Sequence, residues 1–132
     1  MAQNTLRVTG LDHIVLTCLD VERSLAWYTE CLGLPAERVE EWRRGEVPFP
    51  SVRVDAGTII DLFPAPLGAA PSEHGRLDHF CLVIAPTDLD SLEASGRFDV
   101  IDGPARRFGA RGDCRSLSIR DPEGTTIELR HY

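Results

Sequence analysis

The chain has 132 residues, enough for one domain with a core of its own and too few for two large independent ones. Hydrophobic residues make up 42% and charged residues 27%, the balance of a soluble globular protein, and no apolar run approaches the roughly 20 residues of a membrane-spanning helix. Twenty-one acidic residues against fourteen basic ones give a net charge of −7, which argues against a nucleic acid or an anionic membrane as partner and for a small molecule. All fourteen basic residues are arginine, so Schiff-base chemistry through a lysine side chain is excluded. Cys18, Cys31, Cys81 and Cys114 are widely spaced with no C-x-x-C pair, a pattern that requires neither a disulfide nor a zinc–thiolate site. The opening stretch MAQNTLRVTG lacks the apolar core and cleavage site of a secretory signal, and the expected location is the cytoplasm.

The first predicted element is a strand through GLDHIVLT, residues 10 to 17, with His13 set among apolar neighbours. Asp20 is the expected N-cap of a helix in which Val21, Leu25, Tyr28 and Leu32 fall at helical spacing, with Gly33 as its stop. Alternation in ERVEEW and SVRVDA predicts two strands, separated by the proline-containing VPFP, and GTIIDLF at 57 to 63 predicts another. The stretch FPAPLGAAPSEHG is read as a linker, with His74 solvated in it. A strand LDHFCLV at 77 to 83 follows, then a short helix with Thr87 and Asp90 as a shortened capping box before Leu89 and Leu92 and Gly96 near its end. The segment RRFGARGDCR reads as a glycine-containing loop, RSLSIR as a strand, and DPEG as the turn into a last strand, GTTIELR.

These elements repeat. LDHIVLT recurs as LDHFCLV, so that His13 and His79 hold equivalent places 66 positions apart. GTIIDLF recurs as GTTIELR, which aligns Asp61 with Glu128 at an offset of 67. Two motifs in the same order at nearly the same offset describe a duplicated βαβββ module, with copies at about 8–65 and 75–132 within one domain. A lone histidine on an apolar strand is usually a core residue satisfied by one hydrogen bond. Here each copy begins with a histidine strand and ends with a carboxylate strand, and alternation puts Asp61 and Glu128 opposite to their flanking Ile and Leu side chains. A carboxylate in an apolar strand is costly to bury without a compensating charge. A divalent cation compensates, and two imidazoles with one or two carboxylates suit Fe, Mn, Zn, Co or Ni while leaving positions open for substrate or water. The alternative is that the acids pair with arginines and the histidines are merely inherited by both copies.

LDHIVL, the helix ending WYTECLGL, LDHF and the closing IRDPEGTTIEL resemble the vicinal oxygen chelate superfamily, which includes glyoxalase I, methylmalonyl-CoA epimerase, fosfomycin-resistance enzymes, bleomycin-binding proteins and extradiol dioxygenases. The resemblance covers almost the whole chain. It implies an α+β fold of two tandem βαβββ modules forming an open, cup-shaped sheet around one divalent metal ion. It maps family ligand positions onto His13, His79 and Glu128, and a fourth, commonly glutamate, onto Asp61, whose side chain is one methylene shorter. It also implies a homodimer, with a site that can draw ligands from both chains.

The leading expectation from this ligand set is a glyoxalase-type lyase or isomerase. In it the metal stabilises an enolate or oxyanion, and Asp61 or Glu128 moves the proton. An Fe(II) dioxygenase using only His13, His79 and Glu128, a thiol transferase of the fosfomycin kind, and a binding protein of the bleomycin kind are the alternatives. Arg107, Arg111 and Arg115 are candidates for gripping an anionic substrate tail, since guanidinium forks bind carboxylate or phosphate at two points. The competing reading of those arginines is an exposed loop whose charges are solvated or paired with nearby acids.

Overall fold

The computed structural model describes residues 5–71, 77–120 and 126–132. His74 and the end of the expected linker, and the DPEG turn, lie outside the described residues. The fold is mixed α+β, with strands dominating over three short helices among the described residues. By contacts the chain divides into two units, one made of residues 13–78 and the other of residues 1–12 with 79–132.

In the first of these, β1 (Val8–Cys18) contributes its carboxyl half and pairs in parallel with β4 (Thr58–Pro64), which pairs antiparallel with β3 (Ser51–Asp55), itself edged by β2 (Ala36–Glu37). Between β1 and β2 runs α1 (Val21–Glu30), capped as expected by the Asp20 carboxylate, which accepts from the Arg23 N–H at 3.0 Å. The helix ends three residues before Gly33, and Leu32, expected on its apolar face, is exposed instead. Val21 and Leu25 pack on Cys18, Val52 and Leu62, together with Leu16, Tyr28, Leu34 and Ile60, so one face of this sheet carries the core.

The strand expected over ERVEEW is replaced by α2 (Val39–Arg43). Arg38 takes the left-handed conformation, φ 61°, which ends β2, and Val39 and Trp42, three apart, turn together onto the core. A spacing of three puts the two on one face of a helix but on opposite faces of a strand, and packing both on the core selects the helix.

In the other unit, β5 (Leu77–Ile84) pairs in parallel with β8 (Thr126–Arg130), which pairs antiparallel with β7 (Cys114–Arg120), which pairs with β6 (Asp99–Arg107). The amino half of β1 belongs here: the Ala85 N–H donates to the Arg7 carbonyl and the Thr9 hydroxyl to the Val83 carbonyl. Helix α3 (Leu89–Ala94) lays Leu89 and Leu92 on Ile84, Leu117, Ile119 and Leu129. Its N-cap is Asp88, not the expected Thr87. The Asp88 carboxylate accepts from the Ser91 N–H and hydroxyl, and this holds it below the usual carboxylate range, whereas the Thr87 hydroxyl turns back to the Ala85 carbonyl. Arg106 and Arg107, expected in a loop, end strand β6.

The two units repeat in register and, α2 apart, in element order. Val15 lies opposite Asp61 and Asp61 opposite Ser51; Cys81 lies opposite Glu128 and Glu128 opposite Ser118. Since directly paired residues share a face, the histidine and the carboxylate of each unit stand on the side of the sheet away from its helix. No helix among the described residues is long and apolar enough to cross a membrane.

Candidate functional site

In the unit that contains Glu128, β5 supplies His79 and β8 supplies Glu128 two register positions further along the shared face. The His79 Nε2 and Glu128 Oε1 atoms are 3.3 Å apart, with the carboxylate side chain 8% and the imidazole 16% exposed. Two ligand atoms each about 2.1 Å from a common cation, at the angles of tetrahedral or octahedral coordination, stand roughly 3.0–3.4 Å apart. The spacing therefore fits a shared divalent ion as well as it fits a direct hydrogen bond.

The other oxygen of Glu128 is already engaged. Arg130, fully buried, donates from Nη2 to Glu128 Oε2 at 2.7 Å and to the Phe108 carbonyl at 2.9 Å. Its Nη1 reaches the carbonyls of Arg107 and Gly112 at 3.3 and 3.4 Å. Its Nε faces Asp12 Oδ2 at 4.0 Å. Burial disfavours the guanidinium charge, but the hydrogen bond and charge of Glu128 outweigh it and raise the Arg130 pKa above its ordinary value.

Asp12, also fully buried, accepts from the Ala110 N–H at 2.9 Å and from the Tyr132 hydroxyl at 2.5 Å. Burial and the Asp12 bond push the Tyr132 hydroxyl up to about 12. Gly109 makes this packing possible: a Cβ there would collide with the Arg130 guanidinium and the Tyr132 hydroxyl.

Asp12, Arg130 and Tyr132 were not singled out by the sequence reading. The signal for Arg130 was present, since Glu128 and Arg130 stand two apart on one strand and so share a face with opposite charge. Asp12 had no such signal. Its repeat counterpart, Asp78, is exposed, and the acceptor role of Asp12 depends on residues 98 and 120 positions away.

In the other unit His13 and Asp61 are each 2% exposed and share a face, and the Ser51 hydroxyl donates to Asp61 Oδ1 at 2.5 Å. Phe63, next but one to Asp61, stacks at 4.4 Å on Phe49. Tyr28 and Trp42 pack on the core, while Trp27 is half exposed and meets Tyr28 edge-on at 4.9 Å.

The candidate substrate arginines have other engagements. Arg107 pairs with Asp102 at 2.6 Å, and Arg115 grips Asp90 at 2.9 and 3.0 Å, which draws the Asp90 pKa down. Arg111 lies with its guanidinium 4.3 Å from the centre of the Tyr132 ring.

A sequence model of the Glyoxalase/Bleomycin resistance protein/Dioxygenase superfamily matches residues 10–129. The glyoxalase domain-containing protein RDO1 of Mycosarcoma maydis is 32% identical over 133 residues, covering 98% of this chain and 72% of that protein. Virulence protein STM3117 of Salmonella typhimurium is 29% identical over 126 residues, covering 95% and 85%. The fold matches that of methylmalonyl-CoA epimerase from Mycobacterium tuberculosis with a TM-score of 0.58 at 21% identity, over 99% of this chain and 95% of that one.

Proposed function

Because the chain belongs to the Glyoxalase/Bleomycin resistance protein/Dioxygenase superfamily, we propose that it is a divalent-metal-dependent lyase or isomerase of the glyoxalase-like kind, acting on a small oxygen-bearing substrate. His13, His79 and Glu128 are the proposed metal ligands, with Asp61 as the fourth. The observation that carries this is the 3.3 Å separation of His79 Nε2 from Glu128 Oε1, on a carboxylate whose other oxygen is turned to Arg130. The equivalent register of Asp61 and Glu128 extends the assignment to the first module.

A divalent cation held there supplies the positive charge that binds substrate oxygens and offsets negative charge developing on them. Asp61 and Glu128 are the groups available to take up and return a proton beside a substrate carbonyl. The buried setting of His13, Asp61 and Glu128 keeps water away from these donors and strengthens each electrostatic contact. Of the three candidate arginines, Arg111 is the proposed contact for an anionic substrate tail; Arg107 and Arg115 would first have to leave Asp102 and Asp90. The reading includes one domain of two modules and a homodimer.

The test is elemental analysis of protein purified without chelator or affinity metal, beside His13→Ala and Glu128→Ala. The expected result is about one divalent ion per chain in the parent and none in either variant. Solvent exchange of the α-proton across a panel of 2-oxoaldehyde thiol adducts and 2-oxoacids then tests the reaction class. Metal-free parent protein that gains no thermal stability from added metals overturns the proposal.

A further inference from the structure

We propose that Arg130 is a positioning residue that fixes Glu128 as a one-oxygen metal ligand, an inference that rests on the metal-centre reading above. A free glutamate side chain rotates about three bonds and can offer either oxygen, or both, to a cation. Glu128 has lost that freedom. Its Oε2 is held at 2.7 Å by a guanidinium that is itself anchored on the carbonyls of Phe108, Arg107 and Gly112. Oε1 is thereby the oxygen presented to His79, 3.3 Å away.

The anchoring is too extensive for a simple ion pair. Arg130 is the largest of the fully buried side chains, its Nε faces the Asp12 carboxylate, and Gly109 lacks the side chain that would block it. A buried arginine that only neutralised one glutamate would be no more stabilising than an apolar pair of the same size. Supporting a ligand through its second oxygen is a known use of such a contact, and losing one typically weakens metal binding by about 10–100-fold. The first module has no arginine at the matching place: two positions past Asp61 stands Phe63. Arg130 thus sets the second carboxylate apart from the first.

The experiment is a double-mutant cycle read by Co(II) affinity, using Arg130→Met, Glu128→Gln and the double variant, each checked for native circular dichroism. Arg130→Met is expected to weaken Co(II) binding by about 10–100-fold in the parent and by less than about twofold when Glu128 is already Gln. Arg130→Lys, which keeps the charge and the N–H donors of a single nitrogen, is expected to recover a substantial part of the affinity; it also replaces Arg130→Met in the cycle if that variant does not fold. An equal loss in both backgrounds, or no loss in the parent, overturns the positioning role while leaving the metal centre standing. A parent that binds no Co(II) overturns both.

Discussion

Asp12→Ala should be among the most destabilising substitutions in the chain outside the apolar core. The carboxylate is fully buried and accepts two hydrogen bonds, from the Ala110 N–H at 2.9 Å and the Tyr132 hydroxyl at 2.5 Å, while facing the Arg130 guanidinium at 4.0 Å. Hydrogen bonds to a charged acceptor contribute about 1.5–3 kcal/mol each, and removing one partner of a buried ionic set costs about 3–5 kcal/mol, so a loss of about 4 kcal/mol is expected. For a domain of this size that lowers the melting temperature by roughly 10–15 °C. Asp12→Asn should cost only about 1–2 kcal/mol: its carbonyl oxygen still accepts from Ala110, its amide donates to a Tyr132 hydroxyl turned about its C–O bond, and only the charge is lost. Urea unfolding of the three proteins, followed by circular dichroism, gives both differences. An alanine variant within about 1 kcal/mol of the parent would refute the account of Asp12 as a buried anchor.

Gly109→Ala should destabilise by about 2 kcal/mol, because its methyl group must displace the Arg130 guanidinium or the Tyr132 hydroxyl, and an unchanged urea midpoint would contradict that packing. Tyr132→Phe tests the raised hydroxyl pKa: a folded value of about 12 against an ordinary 10, set first by burial and then by the bond to Asp12, means that the stability tied to the neutral hydroxyl is fully present below pH 10 and is lost as the pH rises through 12. The stability gap between parent and Tyr132→Phe should therefore be level up to pH 10 and close between pH 10 and 12, as followed by unfolding at a series of pH values. Ser51→Ala should cost about 1–3 kcal/mol by removing the donor to buried Asp61, and the same change should cost almost nothing once Asp61 is Ala.

The scaffold was legible because it is written twice. Each copy's histidine and carboxylate could be checked against the other, and the strand registers agree to the residue: Val15 with Asp61, Cys81 with Glu128. The misread elements are those without that support. ERVEEW has Val39 and Trp42 three apart, a helical spacing set in a segment of only six residues, and the left-handed turn at Arg38 that converts it to helix is not encoded by a glycine. Thr87 and Asp88 are adjacent capping residues, and the Asp88 carboxylate takes the Ser91 N–H while the Thr87 hydroxyl turns back to the Ala85 carbonyl. The surroundings of Arg130 were out of reach for a different reason: Asp12 and the 108–112 turn meet it only in the folded chain, through contacts spanning from 18 to 118 residues.

That asymmetry is where function separates from fold. Duplication gives both modules a histidine and, in matching register, an acid opposite a serine: Ser51 beside Asp61 and Ser118 beside Glu128. The matching register gives both carboxylates the same place on their strands, with Asp61 one methylene shorter in reach than Glu128. Two residues further along each strand the copies diverge. The first has Phe63, stacked on Phe49; the second has Arg130, drawing in Glu128, Asp12 and the backbone of the 108–112 turn. An aromatic neighbour adds apolar surface beside Asp61 and leaves its charge to be met by other groups, whereas a guanidinium meets the charge of Glu128 and fixes its orientation at once. Near-identical strands thus carry two acids, Asp61 one methylene shorter than Glu128, and two positions past each the chain sets a different constraint, an aromatic ring in one case and a guanidinium in the other.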